Sequence, residues 1–189
     1  MILLETERLT LRLLCEADFE DFCAYAMDDH MSRMMGRDFL HTKEEARITF
    51  HWLTGQFLPP EVLSQKDWQC YALMYKPNSK VIGNITVNAV PKELAERPTL
   101  RGSSGAALSF CLSRFYQRQG LMTEALGAMI RHLFEEEHLD YIQCGYYDFN
   151  AASKGLQEKL GFGHLLTQRI PDGDAEITAM ENVLWNPKT

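Results

Sequence analysis

Residues 108 to 160 carry the pattern that most narrows what this chain can fold into. Leu108, Phe110 and Leu112 alternate with Ser109 and Cys111, the period of a half-buried strand. After a short loop from Phe115 to Gly120, Leu126, Met129, Ile130, Leu133 and Phe134 recur at i, i+3, i+4, i+7 and i+8. That spacing predicts an amphipathic helix of about four turns. Tyr141 to Tyr146 reads as a second strand, expected to run parallel to the first because a helical crossover joins them. A shorter helix over Ala151 to Leu160 closes at Gly161, where a left-handed residue caps a helix.

The flanking segments read as further strands and helices. Leu9, Leu11 and Leu13 fall on one side of a strand, with Thr10 and Arg12 on the other. Phe19, Phe22, Cys23 and Ala26 take helical spacing between Glu16 and Met27. Thr42 followed by Glu45 predicts a helix start, since hydroxyl and carboxylate each satisfy a free amide of the first turn, and Gly55 is its expected end. Two β-rich runs, Trp68 to Tyr75 and Val81 to Val90, flank KPNSK, whose Pro77 and Asn78 favour a turn; a hairpin is expected. Pro91 to Gly105 is polar and rich in breakers, an expected surface loop. His164 to Ile170 and Ala175 to Trp185, around PDGD, read as a closing hairpin. No repeat or Gly/Ser linker interrupts the chain, so a single domain over residues 1–189 is expected.

Composition excludes several classes of function. Lys plus Arg number 19 against 26 Asp plus Glu, a formal charge of −7, which supplies no global positive field for a nucleic-acid backbone. Five widely spaced cysteines without a CxxC pair suggest neither a disulfide framework nor a zinc knuckle, and fit a reducing cytosol. No apolar run approaches the ~18 residues of a membrane span, and charge arrives after four residues of the N-terminus. A cytoplasmic protein that binds neither membrane nor nucleic acid is the expectation.

The loop over Phe115 to Gly120 has a chemical use. A strand running through QRQG into a helix presents unpaired backbone amides at the positive end of the helix dipole, an arrangement that binds phosphate. Gly120 allows close approach of a ligand, and Arg118 adds a charge. Gly is also the default residue of any unusual turn, so the bare pattern is a weak signal.

Three segments strengthen it. LSFCLSRFYQRQGLMTEAL resembles motif A of the GNAT superfamily of acyl-CoA-dependent N-acetyltransferases, in which a strand leads through a Q/R-x-x-G-x-G/A loop into a helix. NAASKGLQEKLGF is similar to that family's N-x-x-S…EKLGF segment, and LETERLTLRLL resembles the opening of the RimJ and RimL type, which acetylates ribosomal-protein N-termini. The resemblance spans residues 4 to 162. It implies an α+β domain of the GNAT type, a mixed and mostly antiparallel sheet with helices on both faces. The activity it implies is acetyl transfer from acetyl-CoA, the cosubstrate, to a primary amine on a protein N-terminus or a small molecule, as a monomer or homodimer.

Carried over residue by residue, the resemblance puts Gln117 at the Q/R position and Gly120 at the glycine. The amides of Arg118, Gln119, Gly120, Leu121, Met122 and Thr123 would cradle the CoA pyrophosphate. The backbone of Phe110 and Leu112 would face pantetheine and thioester, where the two strands splay. Asn150 matches the asparagine that contacts the pantetheine arm, and Ser153 the serine one turn on. Two positions depart from the pattern: Met122 stands where the loop ends in Gly or Ala, and Gln157 where other branches carry a tyrosine acid. With Gln157 unable to give a proton, Ser153 becomes the candidate acid and Asp148, just past the second strand, the candidate base.

Other conspicuous residues take ordinary readings. The six histidines lack metal-ligand spacing, so no metal is expected. Glu135 to Glu137 read as a solvated face, Glu124 as a carboxylate favoured by the helix dipole, and Cys111 as packing. Met31, Met34, Met35 and Phe39 fall in a linker between the first two helices, as packing or as the wall of the acceptor site; Met35 and Phe39 are the candidate acceptor-binding residues. The wall is expected to continue into the loop from Gln56 to Trp68. An acyl-CoA-binding sensor without turnover is the alternative that the Gln157 departure allows. The identity of the acceptor amine is not legible in the sequence.

Overall fold

The computed structural model describes residues 2–35, 40–55, 68–97, 100–170 and 173–182. Phe39, the loop expected over Gln56 to Asp67 and the part of the closing strand expected beyond Asn182 lie outside the described residues. The elements are β1 Ile2–Glu5, β2 Leu9–Leu13, α1 Phe19–Ala26, α2 Asp29–Met34, α3 Lys43–Thr54, β3 Trp68–Tyr75, β4 Lys80–Ala89, α4 Lys92–Ala95, β5 Gly105–Leu112, α5 Leu121–Glu135, β6 Tyr141–Tyr147, α6 Ala151–Leu160, β7 Gly163–Ile170 and β8 Gly173–Glu181. They form an eight-stranded sheet in the order β1-β2-β3-β4-β5-β6-β8-β7. The pairs β1–β2, β2–β3, β6–β8 and β7–β8 are antiparallel, and β5–β6 is parallel, as the crossover through α5 requires. Among the described residues no helix is long and apolar enough to cross a membrane.

The chain divides into two compact units. The first comprises residues 1–86 and 110–125, the second 87–109 and 126–189, so β4, β5 and α5 pass from one unit to the other. In the first unit Phe19, Phe22, Ala26, Met31, Ala46, Phe50 and Leu53 from the first three helices form one apolar cluster with Cys70, Ala72, Val81 and Cys111 of the sheet. Phe50 meets Phe19 and Phe22 edge-on at 5.3 and 5.2 Å between ring centroids. In the second unit the buried apolar side chains include those of Leu126, Met129, Ile130, Leu133, Phe134, Ile142, Cys144, Leu160, Phe162 and Met180.

Local signals account for the helix ends. Thr42 accepts from the Glu45 amide while the Glu45 carboxylate accepts from the Thr42 amide, and Gly55 ends α3 with φ 74°. Gly161 closes α6 in the left-handed region, φ 94°.

Several expectations change. The linker over Met31 to Phe39 opens with the short helix α2, which Asp28 caps by accepting from the amides of His30 and Met31. Met31 is buried there as packing. Met35, the C-cap, is partly buried against the same cluster. The loop after Pro91 contains α4, and β5 begins at Gly105, ahead of Leu108. In β2 Leu9 and Leu11 are buried as expected, but Leu13 is 48% exposed and Thr10 buried. Thr10 pairs with Glu5 across β1–β2 and donates its hydroxyl to that carboxylate, which makes its burial tolerable.

Candidate active site

In the first unit β5 ends at Leu112, and Ser113 donates its amide to the Ile82 carbonyl (2.8 Å). A 3-10 turn, Arg114–Tyr116, then leads into the loop at Gln117 to Gly120. Gln117 turns its side chain inward and donates Nε2 to the Leu112 carbonyl (2.9 Å), tying the loop to the strand it leaves. Arg118 and Gly120 both sit in the left-handed region, φ 63° and 78°. Among the described residues, none of the backbone amides from Arg118 to Thr123 has a hydrogen-bond acceptor; the first bond of α5 runs from Glu124 to the Gly120 carbonyl (3.0 Å). Such a row of open donors at the start of a long helix is a ready anion site. The Arg118 side chain is exposed and meets no partner among the described residues. Leu121 and Met122 bury their side chains, so the bulk of Met122 lies in the interior and its amide stays open.

Charge locks this loop from behind. Arg8 donates Nη1 to the Gln119 carbonyl (2.9 Å) and Nε to Glu124 Oε2 (2.7 Å), while its own amide donates to Glu124 Oε1 (2.8 Å). Thr6 adds its hydroxyl to the same Oε1 (2.5 Å). Burial works to raise the Glu124 carboxyl, but the bonds from Thr6 and Arg8 outweigh it and hold it below its ordinary value. Glu124 is therefore fully engaged as an anchor. Sequence reasoning missed Arg8, whose partners lie more than a hundred residues away and leave no local spacing.

The ladder between β5 and β6 joins Gly105, Ala106 and Ala107 to Tyr141, Ile142 and Gln143 and then ends, although β5 continues to Leu112 and β6 to Tyr147. Leu112 is buried and Phe110 half-buried. Cys111 gives its thiol hydrogen to Asn84 Oδ1 (2.9 Å), which also accepts from the Tyr25 hydroxyl (3.0 Å).

In the second unit β6 turns into α6 through Asp148 to Asn150. The Asp148 amide donates to the Asp174 carbonyl (2.9 Å), and its side chain is exposed. Asn150 is the N-cap: its Oδ1 accepts from the Ser153 amide (3.1 Å). The Ser153 hydroxyl oxygen accepts from Gln157 Nε2 (3.0 Å). Gln157 is fully buried; Nε2 also donates to the Gly145 carbonyl (3.0 Å), and Oε1 accepts from the Thr178 hydroxyl (2.6 Å). Burial pushes the nearby Cys144 thiol up, so that cysteine is inert at neutral pH. Among the described residues, no group of His, Cys, Asp and Glu is arranged to hold a metal ion.

Residues 8–163 match the model of the acetyltransferase (GNAT) domain family. The [ribosomal protein uS5]-alanine N-acetyltransferase of Escherichia coli (strain K12) is 28% identical over 97% of this chain and 93% of its own length. A GNAT-family acetyltransferase from Bacillus anthracis superposes with a TM-score of 0.76 at 18% identity, covering 95% of this chain and 98% of that one. The ribosomal-protein-S5-alanine acetyltransferase from Vibrio fischeri gives 0.73 at 19% identity, covering 97% and 98%. At such identities the two structures speak for the fold alone.

Proposed function

Because the chain belongs to the GNAT acetyltransferase family, and is thus an acetyl-CoA-dependent N-acetyltransferase that acts on amines, we propose that its QRQG loop holds the cosubstrate and that the acceptor is a primary amine which attacks the thioester directly. The observation that carries this reading is the row of open amides from Arg118 to Thr123. They fit a pyrophosphate, with Gly120 leaving room for close approach and Arg118 adding charge. Asn150 is the proposed partner of the pantetheine arm, and the backbone of Phe110 to Leu112 polarises the thioester carbonyl.

Acetyl-CoA supplies the activated acyl group, and the protein supplies position and protons. The amine nitrogen forms the new C–N bond and loses one proton, to Asp148 or to water. The C–S bond breaks, and the sulfur keeps the electron pair and takes a proton from the Ser153 hydroxyl, which is replenished from water. Holding two reactants together removes most of the entropic barrier, so the demands on acid and base are modest.

The activity for which the Escherichia coli relative is named points to a protein N-terminal alanine as the first acceptor to try. Met35 and Phe39 form part of the proposed acceptor wall; Met35→Ala should raise the acceptor KM more than that of acetyl-CoA. A cytoplasmic location fits the five free thiols, a monomer or homodimer is the proposed assembly, and the charge of −7 favours a cationic acceptor over nucleic acid. Thiol release from acetyl-CoA, assayed with an alanine-starting peptide beside polyamines and amino acids, tests the reading. Turnover with one acceptor class supports it; acetyl-CoA binding without thiol release across the panel overturns it in favour of a sensor.

A further inference from the structure

We propose that Gln157 is a positioning residue for proton transfer, holding the Ser153 hydroxyl so that its hydrogen is presented away from the protein; this rests on the reading of Ser153 as the acid. The Gly145 carbonyl can only accept, so the Gln157 group facing it at 3.0 Å must be the NH2, which fixes the orientation of the whole amide. Its second hydrogen goes to Ser153 Oγ at 3.0 Å, and Oε1 takes the Thr178 hydroxyl at 2.6 Å. Every polar atom of this buried side chain is thus matched.

The consequence falls on Ser153. An NH2 group offers no lone pair, so the serine oxygen accepts and its own hydrogen must point elsewhere. A helical serine commonly gives that hydrogen to a carbonyl one turn back. Here no such bond forms, and among the described residues nothing accepts it. The other ordinary use, capping the helix, is already taken by Asn150. An oxygen that receives a hydrogen bond also releases its proton more readily, because successive bonds polarise one another. An apolar residue at position 157 would leave the buried Thr178 hydroxyl and the Gly145 carbonyl without this partner, a cost to stability that is separate from the bond to Ser153 and that Tm reads.

The test compares wild type, Ser153→Ala, Gln157→Met and the double variant, reading kcat by thiol release, KM for acetyl-CoA and Tm. Ser153→Ala should lower kcat by about 100-fold and Gln157→Met by about 10-fold, the range of a lost and a misdirected acid, with KM for acetyl-CoA little changed. The double variant should be no slower than Ser153→Ala, because one effect acts through the other. Should Gln157→Met fail to fold, Thr178→Val, which frees only Gln157 Oε1, should slow kcat by about 3-fold, and again only when Ser153 is present. Equal slowing by Gln157→Met in the wild-type and Ser153→Ala backgrounds, or a lowered Tm with kcat intact, overturns the positioning role. Full kcat in Ser153→Ala alone overturns the acid reading itself, a result visible without touching Gln157.

Discussion

Where β5 turns into α5, Gly120 precedes the helix and the amides from Arg118 to Thr123 are left open; where β6 turns into α6, Asn150 closes the Ser153 amide with its own side chain. Both turns are a strand leading into a helix, and the difference lies in the residue before the first turn. Asparagine brings an acceptor, and the start of α6 becomes a fixed support for side chains such as Ser153. Glycine brings none, so the amides of α5 remain for a ligand. The two turns are also held differently. An ion pair, Arg8 with Glu124, braces the open loop, whereas the neutral amide of Gln157 braces the closed one.

Filling the open turn should produce the largest effect. Gly120 lies at φ 78°, and a Cβ there meets only Arg8 Nη2 at 3.5 Å. Aspartate is among the few residues that tolerate this backbone, so Gly120→Asp should fold. Its carboxylate would oppose a diphosphate, and titration calorimetry should find acetyl-CoA binding weakened by several kcal/mol. Unchanged affinity in the folded variant would remove the cofactor assignment.

Loosening the brace is the next step down. Arg8→Met frees the Gln119 carbonyl and Glu124 Oε2 together, leaving Oε1 with Thr6 and the amide of residue 8, and because Arg8 is 38% exposed the stability loss should be on the order of 1 kcal/mol. Acetyl-CoA affinity should fall with it, while Ser153 and Gln157 are untouched. The matching change at the closed turn, Asn150→Ala, should cost about 1 kcal/mol in thermal unfolding through the lost cap. If Asn150 also contacts the pantetheine arm, KM for acetyl-CoA should rise beyond what the loss of stability explains.

The two braces separate in acid. Glu124 is held below its ordinary value of 4.5, so its ionised form is the one that the fold stabilises. Its contribution is present in full above that value and is lost as pH falls through the lower value of the folded state. Wild type should therefore keep its loop, and its acetyl-CoA affinity, from neutral pH down to about 4.5 and lose both below. Glu124→Gln should be weaker at neutral pH and lack that transition. The Gln157 bonds carry no charge and should add nothing to the acid limb, which proton-linked unfolding of Gln157→Met against wild type measures.

What was legible in the sequence were features whose cause is local. The strand over Leu108 to Leu112, the helical spacing from Leu126 to Phe134, the Thr42–Glu45 box and the glycine after α6 each depend on residues within one or two turns, and each element stands where expected, although Cys111 is buried and Phe110 only half-buried, against the alternation. α2 escaped because six residues hold too little period to distinguish a helix from a linker. β1 escaped because a four-residue strand owes its place to its partner. The burial of Thr10 and exposure of Leu13 follow from neighbouring strands, which alternation along one strand does not encode. At the site the QRQG loop and the segment from Asn150 were readable as motifs, whereas the cap that Asn150 makes was not. The Arg8–Glu124 brace and the bond from Gln157 to Ser153 were not: the first joins distant segments, and the second is a choice of hydrogen-bond partner at helical spacing that many side chains could make.

Hydrogen exchange, read amide by amide with and without saturating acetyl-CoA, decides whether the open turn holds the cosubstrate. The amides from Arg118 to Thr123, open in the free protein, should become protected when acetyl-CoA binds, and Gly120→Asp should remove the protection. Exchange at those amides that stays unchanged while acetyl-CoA is demonstrably bound would contradict it.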